Sequence, residues 1–300
     1  MTTMSKDAKS SQEPTSPPTQ EELFERVGAI WSKAGDIMSP WHAPVEAMFR
    51  PLTDAMLAAI PARAGTAGLD VACGTGLATQ ALARHLGPEA LVVGTDLAPG
   101  MIAHARALAT QPGMTGVRFE KAAAERLPFP DDHFDVITCR LGIMYFLDPV
   151  AALREMRRVL RPGGRIAFVT WGNADRSDWS RTTAHVMTPP DPNASPAPEG
   201  IDFRQPEVLQ TLLTNAGFHN VAADARLVPL PWPGSVDDMV AFSLALFDLK
   251  YQSDHPGEVV DRDAAQRQDV MARMRAACAP FVTDQGLAYH AEIVVATAER

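Results

Sequence analysis

Between Ala67 and Trp171 the chain alternates short apolar runs with helical stripes, and this rhythm constrains the fold more than any other feature. Leu69-Asp70-Val71-Ala72 reads as a strand ending in a Gly-rich turn, and Leu77 to Leu86 follows as a helix. Ala90 to Gly94 is a second strand, and Pro99 to Leu108 a helix whose proline sits in the tolerant first turn. Val117-Arg118-Phe119, Phe134 to Thr138 and Ile166 to Val169 supply three more strands. Before the last of them, Val150, Leu153, Met156, Val159 and Leu160 form a helical stripe that Arg161-Pro162-Gly163-Gly164 stops. Strands apolar on both faces and joined by helices make a parallel sheet covered on both sides, an α/β fold.

The flanks read differently. A helix starts near Thr19-Gln20-Glu21-Glu22, with Leu23, Phe24, Val27, Ile30 and Trp31 on one face. A second runs from about Val45 to Ile60 and meets Pro61 and Gly65. Residues 1–20 contain no Leu, Ile, Val or Phe, and 13 of them are Ser, Thr, Pro or Gln. They bury too little apolar surface to offset ordering entropy, so residues 1–19 are expected to be a disordered tail. Residues 172–205 break the rhythm, with five prolines between Thr188 and Gly200, and are expected as a loop or lid. Val208, Leu209, Leu212 and Leu213 mark another helix, closed by Gly217 at the left-handed cap position. Helical patterns recur at 236–250 and 261–279, the second with Val270, Met271, Met274 and Cys278 on one face. The end, Tyr289 to Thr297, is apolar and β-like. The organisation expected is a tail (1–19), a helical cover (20–60) and a main domain (61–300) with inserts at about 172–205 and 236–279.

Composition excludes several function classes. Lys plus Arg number 27 against 36 Asp plus Glu, a net charge of −9, which argues against a dedicated nucleic-acid binder. Cys73, Cys139 and Cys278 are isolated, which argues against a disulfide framework and a Cys-rich metal site and fits a reducing compartment. No apolar run has membrane-spanning length and no signal-peptide core is present, so a cytoplasmic protein without a membrane span is expected.

The chemistry concentrates at Asp70-Val71-Ala72-Cys73-Gly74-Thr75-Gly76, where a strand turns into a helix. Glycines there let backbone approach a ligand, and the helix start offers free N–H groups. A G-x-G alone also describes an ordinary tight turn. Asp96 ends the second strand, 22 residues after Gly74. An acid there accepts bonds from ribose hydroxyls, although a lone Asp at a strand end also serves as a helix cap. A dinucleotide fingerprint needs a third glycine where this chain has Thr79. Asp70 beside the turn would also repel a pyrophosphate. A phosphate-free ligand with an ammonium and a sulfonium, such as S-adenosylmethionine, suits that carboxylate.

Leu69 to Thr79 (LDVACGTGLAT), Val93 to Met101 (VGTDLAPGM), Glu125 to Phe134 (ERLPFPDDHF) and Arg158 to Gly164 (RVLRPGG) occur in the order and spacing of a known family. Together they resemble the class I S-adenosylmethionine-dependent methyltransferases, in particular the subgroup of ubiquinone and menaquinone biosynthesis enzymes, over roughly residues 40–222. The resemblance implies a Rossmann-like seven-stranded sheet of order 3-2-1-4-5-7-6 with strand seven antiparallel. Phe218 to Leu227 would be strand six and Tyr289 to Thr297 strand seven, and residues 20–60 with the 236–279 insert would roof the substrate pocket. It further implies S-adenosylmethionine as cofactor. The backbone of Ala72, Gly74 and Gly76 would pass beneath its methionine part, and Asp70 would help hold the amino group, directly or through water. Asp96 would bind the ribose diol, and Leu97 and Met101 would pack on the adenine. Ala123 and Ala124 fall where the family usually has Asp-Ala, so the amine acceptor is missing at Ala123. The Ala124 N–H would serve the ring, with Glu125 as a compensating acid. Arg140 falls where a residue lines both cofactor and reaction centre.

Methyl transfer from a sulfonium needs alignment and desolvation more than acid–base help, worth something like 7–11 kcal/mol. A base matters only for an acceptor that must lose a proton, and His42 and His185 are the candidates, although each reads first as an ordinary surface or packing histidine. Met144, Tyr145 and Trp171 follow strands four and five and are expected to line the acceptor site, or else to pack in the core. Trp31 and Trp41 in the cover suggest an apolar or aromatic small molecule. Cys139-Arg140-Leu141-Gly142 replaces the D/N-P-P-Y/F motif of enzymes that methylate bases or glutamine amides, which leaves O- or C-methylation of quinone, phenol or polyketide-like acceptors. A cofactor-binding protein of the same fold that does not methylate, a cyclase for example, stays open, as does a monomer or homodimer.

Overall fold

The computed structural model describes residues 18–62, 66–109, 116–187, 201–254 and 263–300; the expected tail up to residue 17 and the five-proline stretch lie outside them. The chain opens with α1 (Gln20–Met38) and α2 (His42–Leu57), then β1 (Ala67–Val71), α3 (Leu77–Leu86), β2 (Leu91–Asp96), α4 (Pro99–Leu108) and β3 (Val117–Lys121). It continues with β4 (Phe134–Arg140), a 3-10 turn (Ile143–Tyr145), α5 (Pro149–Val159), β5 (Leu160–Trp171), α6 (Asp178–Met187) and α7 (Pro206–Asn215). The last part is β6 (His219–Trp232), α8 (Val236–Asp254), α9 (Ala264–Cys278), β7 (Val282–Thr283) and β8 (Gly286–Glu299). The sheet runs β3-β2-β1-β4-β5-β8-β6, so the expected order holds with β8 as the antiparallel strand between β5 and β6. Two-residue β7, which pairs with β8 alone, adds an eighth strand to the seven expected.

Two corrections concern punctuation. Arg161-Pro162-Gly163-Gly164 lies within β5, where a register shift against β4 absorbs it, so this segment is an irregular strand start as well as a helix stop. The stretch expected as a loop or lid from 172 holds α6, which carries buried Trp179 and Thr183. Trp179 Nε1 donates to the Ser243 hydroxyl of α8 at 3.0 Å, a tertiary partner that local sequence does not reveal.

Alternation in the strands builds two cores. Leu69, Ile137 and Phe168 face α5 and α7 through Leu153, Met156, Leu209 and Leu213. On the other face, Val92, Ala167 and Val295 meet Leu52 and Met56 of α2 and Leu82 of α3. Gly68 lies where Leu82 and Leu86 press in at 3.3 and 3.1 Å from a would-be Cβ, so a larger residue would push α3 off the sheet. The α1 start has a capping box: Glu22 N–H donates to the Thr19 hydroxyl, and Thr19 N–H to the Glu22 carboxylate.

α1 crosses α4 through small residues. The Ser32 hydroxyl donates to the Gly28 carbonyl (2.8 Å) and accepts from Gly100 N–H (3.0 Å), and a methyl on Gly100 would stand 2.7 Å from Ser32 Cβ. His104 of α4 meets the Asp36 carboxylate of α1 at 2.9 Å.

Candidate active site

The C-terminal ends of β1, β2, β4 and β5 share one edge of the sheet, and the chain reverses its winding direction between β1 and β4. Open α/β sheets bind ligands in the crevice at such a switch point. The backbone there is unusual. Ala72 (φ +56°) and Leu141 (φ +58°) are non-glycine residues in the left-handed region, just past β1 and β4, and their unusual backbone turns both loops across the sheet edge. Gly74 (φ +56°) has open space where a Cβ would stand, so the loop presents bare backbone to the crevice. Gly76 (φ +85°) faces inward, where a Cβ would fall 2.7 Å from the Phe119 ring.

Asp96 ties this loop to the next one. One carboxylate oxygen accepts from Gly74 N–H (2.9 Å) and the other from Ala98 N–H (2.8 Å) at the head of α4. The cap role leaves the carboxylate able to accept from a ligand as well, since it has about four lone-pair sites and these bonds use two. Burial raises the pKa of Asp96, opposed by the N–H groups of Ala98, Gly74 and Leu97.

Asp70 sits elsewhere than expected. Its side chain is 1% exposed, beneath the loop, with one oxygen on the Thr79 hydroxyl (2.7 Å) and the other on the Thr138 hydroxyl (2.8 Å). Desolvation pushes its pKa up to about 6, against the two hydroxyls and the more distant Arg140 charge. Direct contact with a ligand's amino group is closed to it, which leaves the expected route through water, and its bonds join β1, α3 and β4. Thr79 thereby gains a reason to stand where a dinucleotide site has glycine. Burial also raises the neighbouring thiols of Cys73 and Cys139, which stay protonated and unreactive.

Arg140 projects from the end of β4 towards α2. Its guanidinium donates to the Thr53 hydroxyl (2.7 Å) and lies over the Phe49 ring at 5.4 Å. Burial pulls its pKa below the ordinary value, and the carboxylates of Asp70 and Glu46 partly restore it. It lines a cleft of about 740 Å³ between α2 and α3, together with Thr53 and Leu77. A second cleft of about 430 Å³ lies at the ends of β2 and β3, between Leu97, Pro99, Ala122 and Ala123 on one side and α1 on the other. With strands roughly 4.8 Å apart, the row from the end of β3 to the end of β4 spans about 14 Å, the reach of an extended nucleoside joined to an amino acid.

The remaining expected residues divide. Trp31 and Tyr145 come together edge to face at 4.6 Å, so α1 roofs the crevice from α4 to the turn after β4, and Met144 stands beside them in sequence, half-buried. Trp171 packs between Phe49 and Trp179, both at 6.0 Å, one aromatic step from Arg140. Trp41 instead packs on Phe242 of α8 at 5.9 Å, in the core below the roof. Met101 is 3% exposed in the contact of α4 with α1, a position filled by the roof. Leu97 lines the smaller cleft. One oxygen of Glu125 accepts from Leu147 N–H (2.8 Å) and Asp148 N–H (3.2 Å), which ties it to the loop after β4. His42 is the first residue of α2, and His185 is on α6 with its side chain outside the described residues.

Comparison with known proteins decides the family. A family model described as a methyltransferase domain matches residues 69–168. The ubiquinone/menaquinone biosynthesis C-methyltransferase UbiE of Pseudomonas aeruginosa is 36% identical over 211 residues, covering 69% of this chain and 74% of that protein. This chain belongs to the class I S-adenosylmethionine-dependent methyltransferase family. The UbiE of Pseudomonas paraeruginosa is 34% identical over 157 residues, 52% of this chain and 59% of that one. A Mycobacterium tuberculosis protein is 37% identical over 143 residues, so the chain spans about half to three-fifths of the length of these two relatives. The methyltransferase fold is shared with a Thermotoga maritima S-adenosylmethionine-dependent methyltransferase at TM-score 0.52 and 17% identity, over 91% of this chain and 99% of that one.

The methyltransferase cofactor fits the residues present. The open face at Gly74 leaves room for it, Asp96 retains lone pairs for a diol, and Arg140, at the end of β4, keeps donors beyond its bond to Thr53. Reading the sequence by motif misses Thr79, Thr138 and Thr53, because hydroxyl partners 9, 68 and 87 residues from Asp70 or Arg140 leave no local signal.

Proposed function

We propose that this chain moves the methyl group of S-adenosylmethionine to carbon or oxygen of a small apolar or aromatic acceptor, of quinone, phenol or polyketide-like character. The observation that carries the reading is the row of open Gly74 backbone, Asp96 and Arg140 along one sheet edge. The names of the Pseudomonas relatives favour C-methylation of a ring of the quinone class. Residues 61–300 form the catalytic domain in this reading, with residues 20–60 as its cover.

When bound, the cofactor supplies a methyl carbon already activated by its sulfonium leaving group. The chain's own work is placement. Asp96 accepts the ribose hydroxyls while its two backbone bonds keep the loop in shape, so little ordering remains to be done on binding. Ala72, Gly74 and Gly76 pass beneath the methionine part, whose carboxylate meets the spare donors of Arg140. Leu97 and the backbone of Ala123 and Ala124 border the adenine. α1 excludes water from above, and Trp31, Tyr145, Met144 and Trp171 border the acceptor. His42 and His185 are the groups to test as bases for an acceptor that must lose a proton.

The test is a screen of quinols, phenols and enolisable acids with the purified chain and S-adenosylmethionine, read by mass spectrometry. Formation of S-adenosylhomocysteine together with a product heavier by one methyl group is expected. Consumption of an acceptor without S-adenosylhomocysteine, or no binding of S-adenosylhomocysteine in calorimetry, overturns the reading.

A further inference from the structure

The smaller cleft poses a chemical problem of its own. An adenine ring there has an exocyclic amine that must donate to something, or its desolvation counts against binding. The wall at the end of β3 has nothing to offer from side chains, being Ala122 and Ala123. The Ala123 carbonyl already accepts from Arg126 N–H at 3.1 Å. Glu125 is not among the residues that line this cleft. Lys121 and Arg126 also line the cleft, but their side chains are donors only. Among the lining residues, Glu21 and Glu25 of α1 are the side chains that can accept. Neither carboxylate makes a hydrogen bond or ion pair among the described residues.

Helix geometry chooses between them. Gly28 presses against Leu97, where a methyl group would stand 3.3 Å from the carbonyl oxygen, so this point of α1 is the one docked on the floor. Glu25 is roughly 4.5 Å along the axis from Gly28, and Glu21 roughly 10 Å, towards the mouth. Side chains on a helix lean towards its N-terminus, which carries Glu21 farther out still.

We propose that Glu25 of the roof helix, rather than any residue of the sheet edge, accepts the hydrogen bond of the adenine amine and makes the site selective for an adenosyl ligand. This rests on the crevice being the S-adenosylmethionine site. Base recognition then requires α1 in its docked position, because the floor supplies shape and ribose contacts while the roof supplies the base-reading group.

Calorimetry with the full chain tests this, using S-adenosylhomocysteine and its inosine analogue, in which a carbonyl replaces the amine. The unsubstituted chain should bind the adenosyl form about tenfold more tightly, the worth of one bond to a charged acceptor. Glu25→Ala should lose about that factor for the adenosyl form and almost nothing for the inosyl form, and Glu25→Gln should retain part of the preference. Glu21→Ala should keep it all. Melting temperatures of the variants should match the parent, since neither side chain holds the fold together. An unchanged preference in Glu25→Ala, an equal loss for both ligands, or a loss that follows Glu21 instead overturns the proposal. Failure of the cofactor reading is distinguishable, because the unsubstituted chain would then bind neither ligand.

Discussion

The floor and the roof of the crevice are built on different principles. On the floor, Asp70, Asp96, Thr79 and Thr138 are locked to one another or to backbone, and the strands beneath are paired on both sides. The roof, α1, rests on α4 through Gly28, Ser32 and Gly35, one His104–Asp36 contact and the Trp31–Tyr145 edge. The floor contacts are buried, part-buried or in the ladder, whereas Asp36 is largely exposed and Tyr145 is on the surface. A floor of this kind suits a ligand that never changes, and a roof of surface side chains leaves room for acceptors to differ.

Substitutions can break that contrast. The largest effect is expected at Gly76→Ala, which combines a positive φ with a Cβ against the Phe119 ring. It should cost about 3–4 kcal/mol in denaturant unfolding, and a cost below about 1 kcal/mol would show the floor to be far softer than described. Asp70 comes next. Its folded pKa of about 6 lies above the ordinary 3.8, so its contribution to stability is fully present below about pH 4 and lost as pH rises through 6. The difference reaches about 3 kcal/mol at neutral pH. Asp70→Asn should therefore gain on the parent as pH climbs from 4 to 7 and run parallel above it; a constant gap across that range would place the titration elsewhere. Asp96→Ala should weaken S-adenosylhomocysteine binding by roughly 1–3 kcal/mol, measured by calorimetry, whereas unchanged affinity would reduce Asp96 to a cap. The smallest effect belongs to the roof: His104→Ala should change unfolding stability by less than about 1 kcal/mol, because Asp36 is largely exposed. A larger loss would make the roof as rigid as the floor.

What could be read from the chain follows the same division. The βα rhythm from 67 to 171 was legible because apolar strands, Gly stops and helix caps are local features, and Asp96 showed itself by spacing alone. The start of α1 was legible in Thr19 and Glu22 for the same reason. The fate of Asp70 was not, since it depends on Thr138 arriving from 68 residues away. The tie of Glu125 to the N–H groups of Leu147 and Asp148 was not legible either, since they come to it across 22 and 23 residues. The packing of Met101 against α1 and of Trp41 against Phe242 was not legible, because apolar residues look alike whether they face a ligand or a neighbouring helix. The α6 segment, polar at first sight, is helical through packing of Trp179 and Thr183 that only the assembled domain provides.

The double bond of Asp96 has a mechanical corollary. Because the amides of Gly74 and Ala98 end on the same carboxylate, the two loops share a single joint. Neither can drift without tugging the other, so solvent deuterium should reach both amides at matched rates, and a change that loosens one should loosen its twin.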